Sequence, residues 1–195
     1  MKIRTLLMGI VALLCMVSCS EDKWTASRLN GAWSGNFGMY YVATMRDVDG
    51  VNREIPFYSS NTYIYFEQYG FSEDGSGYQV DFYPTGPYKY ISYRFYWEVR
   101  NGDIILTYPH NKEWNTVIKD YKINYGHFRG YFGSSSERFD LVAVDNYDKT
   151  YYRYDVDCYY ERYPNYPYYP DYRPYCRSVD AETDSVPAIR LGFRQ

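Results

Sequence analysis

The alternation of apolar and polar residues with a period of two constrains the fold of this chain more than any other feature. In the clearest segment, 90–99, five large apolar residues share one face: Ile91, Tyr93, Phe95, Trp97 and Val99. Successive side chains of a β-strand point to opposite faces, so this period is typical of a strand with one buried face. The pattern predicts an all-β protein.

Eight segments carry this alternation, and turn residues separate them. The segments lie at 33–41, 62–69, 78–83, 90–99, 103–108, 116–125, 127–132 and 139–145. Asn101-Gly102 gives the strongest hairpin signal, because both residue types accept the positive φ angles of a two-residue turn. Mostly short connections between consecutive strands predict an antiparallel up-and-down meander.

An open meander would leave two strand edges exposed. Such edges offer unpaired backbone groups to other chains, and the sequence contains no long amphipathic helix that could cover a face. Closure of the sheet removes both edges, so we predict an up-and-down barrel of about eight strands. The 28 tyrosines and the aromatic share of 22% agree with this fold, since aromatic rings pack well on a pleated surface.

The first 18 residues have the pattern of a secretory signal peptide. Lys2 and Arg4 give a basic start, an apolar run follows at 6–17, and the small residue Ser18 precedes the expected cut. The apolar run is too short to cross a bilayer, which needs about 20 apolar residues. We therefore expect residues 1–18 to be removed, leaving Cys19 as the first residue.

The segment Met16-Val17-Ser18-Cys19 resembles the lipobox of bacterial lipoproteins. This resemblance implies that Cys19 carries a diacylglycerol thioether and an N-acyl chain such as palmitate, and two such lipid groups suffice for stable anchoring. The following Ser20-Glu21-Asp22 resembles the acidic export tag of surface lipoproteins in the Bacteroidetes. The expected location is the outer membrane, in the surface-facing leaflet. The alternative is an ordinary secreted protein.

The start of the first strand resembles a second known family. Gly31-Ala32-Trp33 is similar to the Gly-x-Trp signature of the lipocalins. The resemblance implies that Trp33 plugs one barrel end and that an Arg from the last strand, Arg138 by position, packs across it. The chain is also similar to the lipocalin-like lipoproteins of the Bacteroidetes, which pair a lipobox with a small eight-stranded domain. This second resemblance covers about residues 24–145.

The chain changes composition after residue 148, where a Tyr- and Pro-rich extension begins. Pro cannot donate to a strand ladder, so the extension adds at most one strand, within 151–160. Cys158 and Cys176 are the two cysteines left after signal removal and lipidation, and an oxidising compartment favours a disulfide between them. Two roles remain open for the tyrosine rings of the extension. They could contact a partner, or, as we favour, they could lie on the barrel and cover its edge or mouth. The rings considered for contact are Tyr163, Tyr166, Tyr168, Tyr169 and Tyr172.

The predicted organisation has five parts. They are a signal peptide at 1–18, a tether with a short helical turn at 19–30, the barrel at 31–148, the extension at 149–177 and a disordered tail at 178–195. Signal removal leaves 19 basic against 24 acidic residues, a net charge of −5. No cluster of basic residues is present to neutralise phosphates, so we predict no nucleic-acid partner.

The sequence shows no recognisable catalytic or metal motif. His110 and His127 have no nucleophile motif beside them, and both are expected to be surface residues. Glycosidase chemistry would require two facing carboxylates, and the candidates on predicted strands are Glu67, Asp81, Glu98 and Asp140. We predict no catalytic residue, no metal site and no cofactor.

The barrel interior separates the remaining functional hypotheses. An eight-stranded barrel is filled by side chains or holds one small ligand. The residues expected to face inward, and to line any cavity, are Phe37, Phe82, Tyr93, Phe95 and Trp97. Their bulk favours a filled core.

The first functional hypothesis is a non-enzymatic, lipid-anchored lipocalin-like domain. It would bind a small apolar or glycan ligand or act as an interaction module for an envelope protein. The second is an adhesion or assembly protein that uses the Tyr/Pro-rich extension as its contact surface. The third is an envelope hydrolase that uses strand carboxylates.

Overall fold

The computed structural model describes residues 21–46, 49–109, 112–133, 138–145, 158–162 and 190–193. One α-helix, α1, covers residues 21–29, and a 3-10 helix, η1, covers Lys112–Trp114. No helix among these residues is long and apolar enough to span a membrane. The strands are β1 (Gly31–Asn36), β2 (Met39–Arg46), β3 (Asn52–Tyr58), β4 (Asn61–Gln68), β5 (Asp74–Phe82), β6 (Tyr88–Arg100), β7 (Asp103–Thr107), β8 (Thr116–Asn124), β9 (His127–Phe132), β10 (Arg138–Val144), β11 (Cys158–Arg162) and β12 (Arg190–Phe193).

Eight of the strands form a closed antiparallel β-barrel. Their order around the barrel is β1, β4, β5, β6, β7, β8, β9 and β10, and β10 pairs back with β1. Each barrel strand therefore lies beside its neighbours in the sequence, with only β2 and β3 inserted between β1 and β4. This arrangement confirms the predicted all-β, up-and-down barrel of about eight strands.

The predicted first strand, 33–41, is broken in the structure. The Gly38 N–H donates to Oδ1 of Asn36 at 2.8 Å, and Gly38 has a φ of 73°. Glycine adopts this positive φ without steric cost, and the chain turns out of the barrel into β2. The partner strand β3 is not predicted from the sequence, because it is mostly exposed and contains Pro56, a residue confined to sheet edges.

The C-terminal part of the chain adds two strands. β11 pairs with residues 88–93 of β6, while residues 96–100 of the same strand pair with β7. The strand Cys158–Arg162 overlaps the range 151–160, in which an extra strand was expected, only at residues 158–160. β12 pairs with β2 in a separate three-stranded sheet, so residues 190–193 are ordered within the tail 178–195 that was expected to be disordered, and the rest of the tail lies outside the described residues. Cys176 and the five extension tyrosines lie outside the described residues, so the disulfide and the tyrosine surface stay predictions.

Large aromatic side chains fill the described barrel interior. The ring of Phe66 lies 5.3 Å from that of Phe95, 5.7 Å from Trp97 and 6.2 Å from Phe128, and all three contacts are edge-to-face. All four residues are buried. Edge-to-face packing is a favoured geometry for aromatic pairs, so the barrel has a packed core.

Strand β5, which pairs with β6, turns its glycines Gly75 and Gly77 toward the barrel interior. A Cβ on Gly77 would lie 2.6 Å from the carbonyl oxygen of Tyr65 and press on the Phe95 ring. A Cβ on Gly75 would lie 2.7 Å from the ring of Trp97. Both positions on β5 must therefore stay without side chains so that the rings of β6 fit inside the barrel.

The apolar face of β5 consequently points outward. Phe82 belongs to a second cluster outside the barrel, together with Tyr65, Tyr78, Val80 and Tyr90. The prediction that Phe82 faces the interior is therefore wrong. The large side chains of β6 leave room inside the barrel only for the glycine face of β5. The alternation of apolar residues along β5 does not show which of its faces points inward.

The helix α1 closes the barrel end at which β1 begins, which we call the helix end. Nε1 of Trp33 donates to the carbonyl oxygen of Leu29 at 2.8 Å. The Asp22 carboxylate accepts hydrogen bonds of 2.9 Å from the N–H groups of Asn101 and Gly102. These two residues have φ angles of 54° and 80°, as the predicted hairpin turn requires. The nine-residue helix is longer than the single helical turn predicted.

Substitution of Gly77 by Ala tests the glycine face. We expect the free energy of unfolding to fall by about 1 to 3 kcal/mol, because the new methyl overpacks the core. Without that clash the substitution would stabilise the protein slightly, by about 0.4 to 1 kcal/mol. Urea denaturation measures the sign, and Ser76→Ala on the outer face is the control. A Gly77→Ala protein as stable as this control would contradict the packing argument.

Candidate functional site

A buried carboxylate lies inside the barrel near the end opposite α1, which we call the hairpin end because β2 and β3 leave the barrel there. Oγ1 of Thr62 donates to Oδ1 of Asp81 at 2.5 Å, and Nε2 of Gln79 donates to Oδ2 at 2.9 Å. The Tyr108 hydroxyl donates to Oε1 of Gln79 at 2.8 Å. All four side chains are buried and form one connected polar network.

Burial changes the acidity of this network. Loss of hydration raises the pKa of Asp81 from 3.8 to about 7, against the smaller lowering effect of hydrogen bonds from Thr62 and Gln79. Among the described residues, no cation forms an ion pair with Asp81. Burial, together with the nearby Asp81 charge, also raises the pKa of Tyr83, Tyr93 and Tyr108 well above the ordinary value. Their hydroxyls therefore stay protonated near neutral pH.

Aromatic rings from inserted elements shield this network. Trp114 of η1 lies 5.4 Å from Tyr93, and Tyr41 of β2 lies 4.7 Å from Tyr83 between ring centroids. Tyr41 also stacks on Phe57 of β3 at 5.2 Å. The β2–β3 hairpin therefore covers the hairpin end of the barrel, and Asp81 has no exposed surface.

The strand carboxylates do not converge. Only Asp81 points into the barrel, whereas Glu67, Glu98 and Asp140 lie on its outer surface. Glu98 Oε1 lies 3.4 Å from Arg100 Nη2. The described residues therefore do not place a second carboxylate opposite Asp81. They also contain no cluster of three His, Cys, Asp or Glu side chains able to hold a metal ion.

A groove of about 380 Å³ lies on the rim of the hairpin end. It is lined by the end of β1, the turn into β2 and the adjoining ends of β9 and β10: Asn36, Phe37, Gly38, Phe132, Arg138, Phe139 and Asp140. The ring of Phe37 lies 4.7 Å from Phe132 and 5.1 Å from Phe139, and these three buried core residues underlie the groove. The volume falls within the range of small-molecule sites, about 300 to 1,000 Å³.

Within the described part of the chain, the groove holds one positive charge without an ion pair, on Arg138. Arg138 is exposed, and its side chain has no ion pair or hydrogen bond with any residue that the structure describes. The neighbouring Asp140 is already engaged, by Nε of Arg129 at 2.7 Å and Nδ1 of His127 at 3.0 Å. Desolvation raises the pKa of Asp140, but the hydrogen bonds from His127 and Arg129 outweigh it and lower the pKa overall. Asp140 therefore stays ionised and paired with Arg129 and His127, so it does not neutralise Arg138.

The structure separates Arg138 from the tryptophan it was expected to cover. Trp33 pairs with Ala143 of β10, five positions from Arg138 along that strand. The Arg138 side chain lies on the outer face at the hairpin end, whereas Trp33 lies inside near the helix end and packs on Phe128 at 5.7 Å. The prediction that Arg138 packs across Trp33 is wrong, because the two residues are at opposite ends of the barrel.

The other predicted residues that the structure describes lie in the core, at the start of β1 or on the outer surface. Phe37, Tyr93, Phe95 and Trp97 are all buried in the core, and Phe37 also borders the groove. Gly31 begins β1 at the helix end with a φ of 125°. His127 is half-buried on the outer surface, while His110 and Cys19 lie outside the described residues.

Neither the buried network nor the groove is predicted as a site from the sequence. One sequence pattern could have predicted the buried network: Gln79 and Asp81 lie on the same face of β5 as Gly75 and Gly77. A face that mixes glycine with polar residues suits an interior already crowded by rings. The groove had no comparable signal, because it depends on the chain leaving the barrel at Gly38.

Comparison with known proteins identified no relative. No family model matches the chain, and no curated protein or solved structure is significantly similar to it. The eight-stranded barrel is compatible with a lipocalin-like fold. The function proposed below therefore depends on the geometry of this chain's own residues.

The buried carboxylate makes stability depend on pH. Because the pKa of Asp81 is about 7 in the folded state and lower in the unfolded chain, the folded protein binds an extra proton between pH about 4 and about 7. The stabilisation is full below that range and is lost as the pH rises through the folded-state pKa. Asp81→Asn stays neutral, so its stability relative to the natural chain should rise by up to about 4 kcal/mol across this range.

Urea denaturation at pH about 4 and about 8 measures this difference. Asp140→Asn is the matched control, because Asp140 is exposed on the outer surface and its pKa is lowered. We expect the gain in stability relative to the natural chain between pH about 4 and about 8 for Asp81→Asn and not for Asp140→Asn. Equal pH dependence in the natural chain and Asp81→Asn would show that Asp81 is ionised in the folded state at no cost.

Proposed function

We propose that this chain is a lipid-anchored envelope protein whose non-enzymatic, lipocalin-like barrel binds a small ligand in the groove at the hairpin end. The observation that carries the proposal is a groove of about 380 Å³ with buried aromatic rings beneath it and an exposed guanidinium, Arg138, that pairs with no described residue. The packed interior leaves this rim as the place for a ligand among the described residues.

The groove favours one kind of ligand within the apolar and glycan classes. The buried rings of Phe37, Phe132 and Phe139 underlie the groove, and a ring or sugar face of the ligand would lie over them. An acidic group on the same ligand would pair with Arg138, since a guanidinium binds carboxylate, sulfate or phosphate with two parallel hydrogen bonds. We therefore propose a ligand that carries both a flat face and an acidic group.

The two other hypotheses receive less support. A hydrolase with two carboxylates needs a second acid opposite Asp81, and Glu67, Glu98 and Asp140 all lie outside the barrel. The adhesion hypothesis concerns tyrosines beyond the described residues. The groove at the hairpin end is the feature for which the described side chains offer a specific chemistry.

Binding of anilinonaphthalene sulfonate, which combines flat rings with a sulfonate, tests the groove. We expect Arg138→Ala to weaken binding of this probe about tenfold or more, since a charge-assisted hydrogen bond contributes about 1.5 to 3 kcal/mol. Fluorescence titration measures the affinity. Arg100→Ala, which removes an exposed guanidinium at the helix end, should bind like the natural chain. Equal affinity of the two variants, or no binding by the natural chain, would reject the proposed groove.

The anchor is tested through Cys19. Expression of the full chain in a bacterium with a lipoprotein pathway should yield a mature protein that begins at Cys19 and carries the mass of the lipid groups. Cys19→Ala should leave the membrane fraction and lose that mass, because no thioether can form. Cys158→Ala should keep both, and protease treatment of intact cells tests the surface-facing leaflet. A natural chain without added mass would contradict the anchor.

A further inference from the structure

We infer that the helix end of the barrel docks onto the surface of a lipid bilayer. Four exposed aromatic residues form what we call the aromatic face: Trp24, Tyr69, Phe71 and Tyr125. Trp24 is 62% exposed, Phe71 91% and Tyr125 98%. They come from three separate pieces of the chain, so no single local sequence bias explains their common position.

The topology places all three pieces at the helix end. The turn between β4 and β5 carries Tyr69 and Phe71, the turn between β8 and β9 carries Tyr125, and both turns lie at the end where β1 begins. α1, which carries Trp24, is tied to the same end. Nζ of Lys23 lies 3.7 Å from Oε1 of Glu73, which follows Phe71 by two residues.

The rings of Phe71 and Tyr125 lie in turns where they bury almost no surface against the rest of the protein. Tyr125 has a φ of 47° and is followed by Gly126 with a φ of 75°, a turn whose first position normally holds Asn, Asp or Gly. A bulky residue is uncommon at positive φ. Neither Tyr125 nor Phe71 buries its ring on the barrel. Two such residues at one end indicate selection for a partner with an apolar surface.

The chemistry of this end suits a bilayer. Trp and Tyr favour the membrane–water interface, where the ring is buried and the polar atom stays wet. The guanidinium of Arg28 lies 4.4 Å from the ring centroid of Trp24, and a long cationic side chain can reach the headgroups while its stem lies along apolar surface. Charges of both signs, including Lys23 and Glu73, lie nearby. Insertion of rings would therefore drive docking.

The proposed lipid anchor would keep the helix end close to the membrane, and in this respect the inference depends on the proposed function. Only one residue separates Cys19 from α1 at residue 21, and this linkage spans at most about 7 Å. A lipid on Cys19 would keep α1 near the membrane without fixing which side chains insert into it. Docking of the aromatic face would then point the hairpin end, with its groove, away from the membrane.

Trp24 is itself the reporter for the test. Of the four tryptophans, Trp33, Trp97 and Trp114 are buried in the barrel and only Trp24 is exposed. The mature protein, purified from membranes, is reconstituted in phosphatidylcholine vesicles whose acyl chains carry bromine near the headgroup. Bromine quenches nearby tryptophan emission, so docking should quench Trp24 and protect it from aqueous iodide. Raising the salt concentration should leave the quenching unchanged.

The variant Phe71→Ser with Tyr125→Asn removes two rings of the aromatic face, and Asn suits the positive φ at position 125. We expect it to reduce quenching of Trp24 at least about twofold, since each ring would contribute to insertion in proportion to its buried area. Ile55→Ser with Tyr58→Ser removes two exposed apolar side chains from β3 at the hairpin end, and it should match the natural chain.

Each result has one meaning. Absence of quenching in the natural chain, or equal quenching in the two double variants, overturns the docking inference. If Trp24 is protected from iodide without vesicles, and this protection rises with protein concentration, the aromatic face binds a second copy of the chain. That result also overturns the docking inference. The intact mass reports the lipid separately. Quenching without added mass retains the docking surface and rejects only the anchor, whereas added mass without quenching retains only the anchor.

Discussion

The fit between the large rings of β6 and the glycines of β5 is the constraint on which the rest of the structure depends. Phe95 and Trp97 occupy the space that side chains at Gly77 and Gly75 would fill. Nε1 of Trp97 also donates to the carbonyl oxygen of Ser76 at 2.8 Å, which fixes the ring against the strand. Because side chains alternate along a strand, this fit also fixes the direction of every other residue of β5.

The same fit explains why a charged residue lies in an otherwise apolar core. With Gly75 and Gly77 turned inward, Gln79 and Asp81 must follow on the same face. Hydrogen bonds from Thr62 and Gln79 satisfy the Asp81 carboxylate, and the hairpin formed by β2 and β3 keeps water from it. The interior is then used for packing and for this network. Among the described residues, a concave surface lies at the rim between β1 and β10.

Sequence reasoning could predict the strands and the barrel because their signals are local. Alternation along β6 and the Asn101-Gly102 turn are visible without knowledge of any other strand. The orientation of β5 is different, since both of its faces are buried and a period of two cannot tell which one is inside. The position of Arg138 relative to Trp33 depends on strand register, and the groove depends on the exit of the chain at Gly38. These properties arise between segments, so inspection of single segments does not reveal them.

The 13-residue strand β6 has a mechanical consequence. Its first half is bonded to β11 and its second half to β7, while β5 is bonded along most of its length. Tension applied directly at β11 would therefore reach the barrel through β6, which is paired with strands on both sides. The load would pass first into the β6–β11 ladder and would spare the seam between β6 and β7 that closes the barrel. β11 can thus be displaced from β6 while the eight-stranded barrel stays closed.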